Sequence, residues 1–329
     1  MTIGQDVLRD RVRGCVVGAA IGDALGHETE FLSMEAIRQR FGTAGVAGFE
    51  RWGSDPATGR RVALFTDDTQ MAECVLRALL AGGAVPERDV VMADMCERFV
   101  GWSRAPIGGH RAPGGACMSG CSALAGGADW RTAGGATAGG CGSVMRVYPV
   151  GLRFAFAEAH EREWWAVAQS WPTHRDPIAT AASAAMAAGV AGFLRGDDDR
   201  HVFADMTAAA ARHDYKTAGM ICRALRAAED GTNPASVYDK YRGWAAHEAI
   251  AAGVFAAARQ PSDTAAAMLE AANTPGDSDS LATLAGGLLG ARNRLSTLPQ
   301  DWVRDIERSA EFLALADELT DLIGVSIGI

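Results

Sequence analysis

Aromatic residues are scarce, at 7% of the chain, and none of the seven cysteines falls in the C-x-x-C spacing that a zinc ribbon or redox pair requires. An odd cysteine count does not indicate a disulfide framework, so reduced, mostly buried thiols in a cytoplasmic protein are expected. No Lys/Arg-rich block offsets the net charge of −9, and a pI near 5.3 argues against a nucleic-acid-binding surface. The amino terminus carries Asp6, Arg9, Asp10, Arg11 and Arg13 ahead of an apolar stretch that itself contains Asp23. It therefore lacks a clean signal-peptide core. The longest uncharged run, residues 178–194, is dominated by alanine. It is read as short of a spanning helix in both length and hydrophobicity, hence as a buried core helix with no membrane contact. Neither a linker nor an internal repeat is visible, so residues 1–329 are read as a single domain.

What is present points to helices. Hydrophobic residues make up 48% of the chain, and alanine and glycine are abundant, which suits closely packed helices better than a sheet sandwich. The stretch Phe65-Thr66-Asp67-Asp68-Thr69-Gln70 breaks the local pattern. It stands before an apolar run in which Ala72, Val75, Leu76 and Leu79 recur at helical spacing, closed by Gly82-Gly83. Thr66 is a candidate N-cap, with Asp67 and Asp68 in a first turn whose dipole favours negative charge. Near the other end, Gly276-Asp277-Ser278-Asp279-Ser280-Leu281 repeats the arrangement before Leu284, Ala285, Leu288 and Leu289.

Four carboxylates with Thr and Ser oxygens match the preference of hard cations such as Mg²⁺ or Mn²⁺. Asp277 and Asp279 can approach one ion, whereas Asp67 and Asp68, about 100° apart on a helix, more easily serve two. If the two clusters meet, they form an acidic pocket that is unstable without metal. Acidic residues at helix starts are also common without any ion, and a two-metal phosphohydrolase would use the same groups.

Residues 5–26 read as a first helix with Gly18, Gly22 and Gly26 on one face, a pattern for close helix packing. Asp23, beside that face, could reach the acidic site or bond to backbone amides. Residues 41–63 read as a long loop, and a helix is expected from Pro86-Glu87 to about Val100. The glycine pairs of residues 104–143 suit backbone contacts to an anion or simple flexible connections. Segments of helix fill residues 178–272, and an amphipathic terminal helix covers residues 298–329. Trp244 is read as a core tryptophan, with stacking on a ligand as the alternative. Arg146 pairs with an acidic residue or is structural.

Taken in order, several segments resemble the ADP-ribosylglycohydrolase family. They are Gly14-Cys15-Val16-Val17-Gly18-Ala19-Ala20-Ile21-Gly22-Asp23-Ala24-Leu25-Gly26 with Glu30, then Phe65-Thr66-Asp67-Asp68-Thr69, and then Arg111-Ala112-Pro113-Gly114. Gly140-Cys141-Gly142-Ser143-Val144-Met145-Arg146-Val147, Thr173-His174, Gly243-Trp244 and Gly276-Asp277-Ser278-Asp279-Ser280 complete the set. The resemblance implies an all-α, single compact orthogonal helical domain. It also implies a binuclear centre of two Mg²⁺ or Mn²⁺ ions that cleaves the C1″ glycosidic bond of ADP-ribose on a protein or small-molecule acceptor.

By that resemblance Thr66, Asp67, Asp68, Asp277, Asp279 and Ser280 would hold metal, and Glu30, Asp68 and Asp279 would be catalytic. Glu30, Gly114, Gly115, Gly140, Cys141, Gly142 and His174 would line the ADP-ribose pocket. Glu28 competes with Glu30 and is otherwise a solvated loop carboxylate. The Asp-Ser-Asp-Ser form leans toward arginine-linked ADP-ribose. Serine-linked or ester-linked ADP-ribose, or a non-catalytic ADP-ribose binder, are the alternatives. Gly115-Ala116 stands where relatives commonly have Asn-Thr, and Asp176 where they often have a second histidine.

Overall fold

A glycine stripe on the N-terminal helix, Gln5–Gly26, sets the architecture. A β-carbon added at Gly14 would lie 2.4 Å from the Gly290 carbonyl oxygen, at Gly18 2.7 Å from that of Gly286, and at Gly22 2.1 Å from that of Ala282. At Gly26 it would lie 2.4 Å from the Asp279 Cα. As one number rises by four the other falls, so the helix runs antiparallel to Ser278–Asn293 with the two backbones in direct contact. The close packing expected at Gly18, Gly22 and Gly26 is present, and Gly14 extends it. Its consequence is local: the C-terminal end of the first helix abuts the entry of the helix that carries Asp279.

The structure, a computed structural model, describes residues 3–55 and 58–327. Among these it holds sixteen α-helices and one two-stranded antiparallel sheet, so the all-α expectation holds. The apolar core is contiguous from Leu8 to Ile323. Pro177–Arg195 lies inside it, packed by Tyr148–Arg153, Ala159–Ala168, Asp199–Ala211, Ala246–Arg259 and Ser278–Asn293. This helix has 19 residues and a mean hydropathy of 1.5 over its most apolar window, enough by length and composition to cross a membrane, contrary to the sequence reading. However, 89% of that window is buried inside the fold, which makes it the core helix expected.

Other boundaries moved for identifiable reasons. The loop at residues 41–63 contains a short hairpin, Trp52–Ser54 against Arg61–Ala63. The helix expected from Pro86 runs over Arg88–Arg104. The glycine-rich middle holds a helix, Gly115–Ala125, with Gly114 as its N-cap. The terminal helix is split into Gln300–Asp305 and Ser309–Ile327 by Arg308, whose φ is +55°. At that break the Glu307 amide donates to the Ala63 carbonyl at 2.9 Å, tying the C-terminal segment to the second strand.

Candidate metal centre and substrate pocket

Three interactions set the first acidic motif in place. Thr66 caps the helix Asp67–Ala81, its Oγ1 accepting from the Asp68 amide at 3.4 Å. Asp23 reaches across from the first helix, fully buried. It accepts from the Thr66 amide at 2.8 Å, the Thr69 amide at 3.0 Å and the Thr69 hydroxyl at 2.6 Å. Of the two roles left open for Asp23, bonding to backbone amides is the one observed; it satisfies donors that a helix start leaves free. Arg111 donates to the Phe65 carbonyl at 2.6 Å and makes a paired contact with Glu307 at 2.6 and 3.0 Å. Asp23→Ala would strand buried donors and should cost about 3 kcal/mol in a denaturant titration.

The second motif alternates its duties. Ser278 turns back to the first helix, donating to the Gly26 carbonyl at 3.0 Å beside Thr29, whose Oγ1 lies 3.0 Å away. Ser280 points the other way and donates to Asp68 Oδ2 at 2.9 Å, joining the two acidic motifs directly. Asp277 occupies the N-cap position of Ser278–Asn293 without making a capping bond, so its carboxylate is turned to the cluster. Oxygens of Glu30, Asp277 and Asp279 all lie within 4.8 Å of one another. The fold therefore gathers Glu30, Asp68, Asp277, Asp279 and Ser280, with Thr66 and Asp67 at the adjoining helix start.

Burial pushes each of these carboxyls up. The Glu30 carboxyl is raised to about 9 by burial and then by the charges of Asp277, Asp67 and Asp23. Asp67, Asp68 and Asp279 stand well above the usual range for the same reasons, and Asp277 is raised as well. Backbone amides, including that of Gly114, partly offset this at Asp67. All donors are oxygen, most are buried and several repel one another, which is the chemistry a hard divalent cation satisfies. The residues present fit such ions.

Because these groups are protonated more readily folded than unfolded, they stabilise the metal-free fold at low pH and lose that contribution as pH rises; for Glu30 it is complete below the unfolded value near 4.5 and is lost as pH climbs through about 9. The Tm of chelator-stripped protein should fall over that window, and added Mn²⁺ should raise it most at the alkaline end. Calorimetric scans across pH, with and without Mn²⁺, check both signs.

Around the cluster, Cys141 Sγ donates to Asp277 Oδ2 at 2.7 Å. Burial and then the neighbouring Asp277 charge raise that thiol well above its ordinary range, so it is a packed wall rather than a nucleophile. Gly140 and Gly142 flank it. The His174 ring lies beneath them, 2% exposed, with Nδ1 2.8 Å from Thr173 Oγ1. Gly114 and Gly115 open their helix exposed to solvent. Asp176, in the place of a second histidine, caps Pro177–Arg195 by accepting from the Ile178 amide at 3.0 Å. Arg146 is structural: it is wholly buried without a carboxylate partner among the described residues, and bonds Gln169 and Thr173.

The structure departs from expectation at two residues. Glu28 is not solvated: its side chain is 9% exposed and pairs with Arg40 and, at 2.9 Å, with Arg51. Trp244 is not a core residue. It is 42% exposed and stacks on Phe31, itself 67% exposed, with ring centroids 5.1 Å apart. Phe31 follows Glu30 at φ +63°, and that backbone turn sends its ring outward to the tryptophan. Neither Arg111–Glu307 nor Phe31–Trp244 was identified from sequence; Arg111 heads a recognisable motif, but nothing marks Glu307.

An all-helical scaffold that brings two hydroxyl-flanked acidic helix starts into one buried cluster defines a class of oxygen-donor centre. The family model described as ADP-ribosylglycohydrolase matches residues 4–327, and the chain belongs to that family. It is 24% identical over 317 residues to the ADP-ribosyl-[dinitrogen reductase] glycohydrolase of Rhodospirillum rubrum, covering 92% of each chain. It is 28% identical over 328 residues to the ADP-ribosylarginine hydrolase Tri1 of Pseudomonas putida, covering 97% of this chain and 80% of that one. A solved structure, an ADP-ribosylglycohydrolase-related protein complex, superposes with a TM-score of 0.72 at 26% identity, over 97% of this chain and 99% of the other.

Proposed function

We propose that the protein is a divalent-metal-dependent hydrolase that releases ADP-ribose from a modified arginine. Family membership supports hydrolytic removal of ADP-ribose. The observation that carries the metal-dependent form is the Glu30–Asp277–Asp279 triad, joined through Ser280 to Asp68. In this reading Thr66, Asp67, Asp68, Asp277, Asp279 and Ser280 hold Mg²⁺ or Mn²⁺. Such ions supply positive charge that lets a doubly charged diphosphate ligand enter an acidic pocket and polarises oxygens near C1″.

The chain's own groups do the rest. Glu30, half-buried and facing the cluster, would be returned to its ionised form by bound cations, and its carboxylate lies where it can accept a proton from water as oxygen bonds to C1″. The same charge stabilises the oxocarbenium character that develops as the bond to the leaving nitrogen breaks, while that nitrogen takes up a proton. Gly114, Gly115, Gly140, Cys141, Gly142 and His174 line the ADP-ribose side. Seven free thiols suit a reducing cytoplasm.

The arginine assignment leans on the named activity of the Pseudomonas putida relative and on the intact Asp-Ser-Asp-Ser motif. Offering arginine-, serine- and nucleic-acid-linked ADP-ribose with Mg²⁺ or Mn²⁺ and quantifying free ADP-ribose tests it. Release from arginine alone is expected; preferential release from serine would replace the acceptor.

A further inference from the structure

Arg146 is a fully buried cation whose Nη2 donates to Thr173 Oγ1 at 2.8 Å, and that oxygen lies 2.8 Å from His174 Nδ1. A threonine hydroxyl carries one proton and two lone pairs. The guanidinium occupies one lone pair and, being charged, weakens the oxygen as acceptor of a second donor while sharpening its own O–H as a donor. The hydroxyl proton has two places to go: the Ser170 carbonyl at 3.4 Å, or His174 Nδ1 at 2.8 Å. The shorter contact and the cation both direct it to Nδ1, which leaves the imidazole proton on Nε2.

The Nε2 edge faces the loop beside Cys141. A β-carbon at Gly142 would lie 2.8 Å from His174 Cε1 and 3.2 Å from Nε2, and one at Gly140 would lie 3.5 Å from Nε2. Glycine at both positions leaves that edge of the ring open to the loop. Burial, and then the Arg146 charge, hold the imidazole down to about 3, so it stays neutral.

We propose that Arg146 and Thr173 are positioning residues that fix His174 as the neutral Nε2–H tautomer. His174 then presents a permanent Nε2–H donor, past Gly140 and Gly142, to an oxygen of the bound ADP-ribose. The ligand half of this statement rests on the functional reading above; the tautomer half does not.

The test is long-range ¹⁵N–¹H NMR of histidine-labelled full-length protein, with His174→Gln used to assign the signal. A single Nε2–H tautomer is expected in wild type and in Thr173→Ser, and a mixed or inverted tautomer in Thr173→Val. Calorimetric titration with ADP-ribose should show Kd about tenfold weaker for Thr173→Val, the loss of about one aligned hydrogen bond, and near-wild-type for Thr173→Ser. A protonated ring or an Nδ1–H tautomer in wild type would overturn the relay, as would an unchanged tautomer in Thr173→Val. Should Thr173→Val fail to fold, the wild-type spectrum still decides. Wild-type protein with the Nε2–H tautomer but no affinity for ADP-ribose would sink the ligand reading and leave the relay standing.

Discussion

Glu30→Gln should lower kcat by about 10²–10⁴-fold while ADP-ribose still binds, because the amide keeps the side chain's shape and loses its basicity. The expectation rests on placement. Glu30 emerges one turn beyond Gly26, at the point where the first helix touches Asp279, and its carboxylate shares a 4.8 Å cluster with Asp277 and Asp279. Asp279→Asn should differ in kind: it removes a carboxylate assigned to hold the metal, so ion affinity and ADP-ribose binding should fall together, with partial recovery at high Mn²⁺. Glu28→Gln should leave kcat near normal. Its carboxylate serves Arg40 and Arg51, and losing half-exposed ion pairs costs about 0–1 kcal/mol of stability. Turnover, metal affinity and ADP-ribose affinity measured on the three variants separate the roles. Normal turnover in Glu30→Gln with loss in Glu28→Gln would move the assignment two residues back.

The largest structural effect should come from Gly22→Val. A β-carbon there would sit 2.1 Å from the Ala282 carbonyl oxygen and 2.4 Å from its carbon, both backbone atoms that cannot swing aside. The two helices would have to separate, opening the core and displacing Glu30 from Asp279. A cost above about 4 kcal/mol is expected, a Tm loss of roughly 10 °C or more, with activity falling alongside. Gly101→Ala is the control: it lies in Arg88–Arg104 with nothing within 4 Å of the added carbon. It should raise stability by about 0.5–1 kcal/mol by removing a helical glycine. Thermal melts of the two variants, with Gly22→Val no less stable than wild type, would show that the backbone contact does not organise the fold.

The features legible in the sequence are those encoded locally. A glycine every four residues announces close helix contact, and a hydroxyl before paired aspartates announces a helix entry, so the first helix and both acidic motifs were readable. The partner of each was not. Ala282 and Gly286 carry no mark of the helix they touch, and Asp23 gave no sign of choosing amides over the cluster. Glu307 was hidden because the break at Arg308 uses a left-handed arginine instead of glycine or proline. The exposure of Trp244 depends on the turn at Phe31, far away in sequence, and a tryptophan considered alone is better guessed as core. Glu28 and Glu30, two residues apart, meet opposite long-range charges, arginines at one and aspartates at the other, and neither set is adjacent to them in sequence.

Titration of Mn²⁺ into chelator-stripped protein, followed by an activity measurement on arginine-linked ADP-ribose at each point, tests the central claim most directly. Saturable binding is expected, with release of ADP-ribose rising in step, a higher Tm, and markedly weaker binding in Asp279→Asn. Full release of ADP-ribose in excess chelator, or Mn²⁺ binding indifferent to Asp279, would contradict the account.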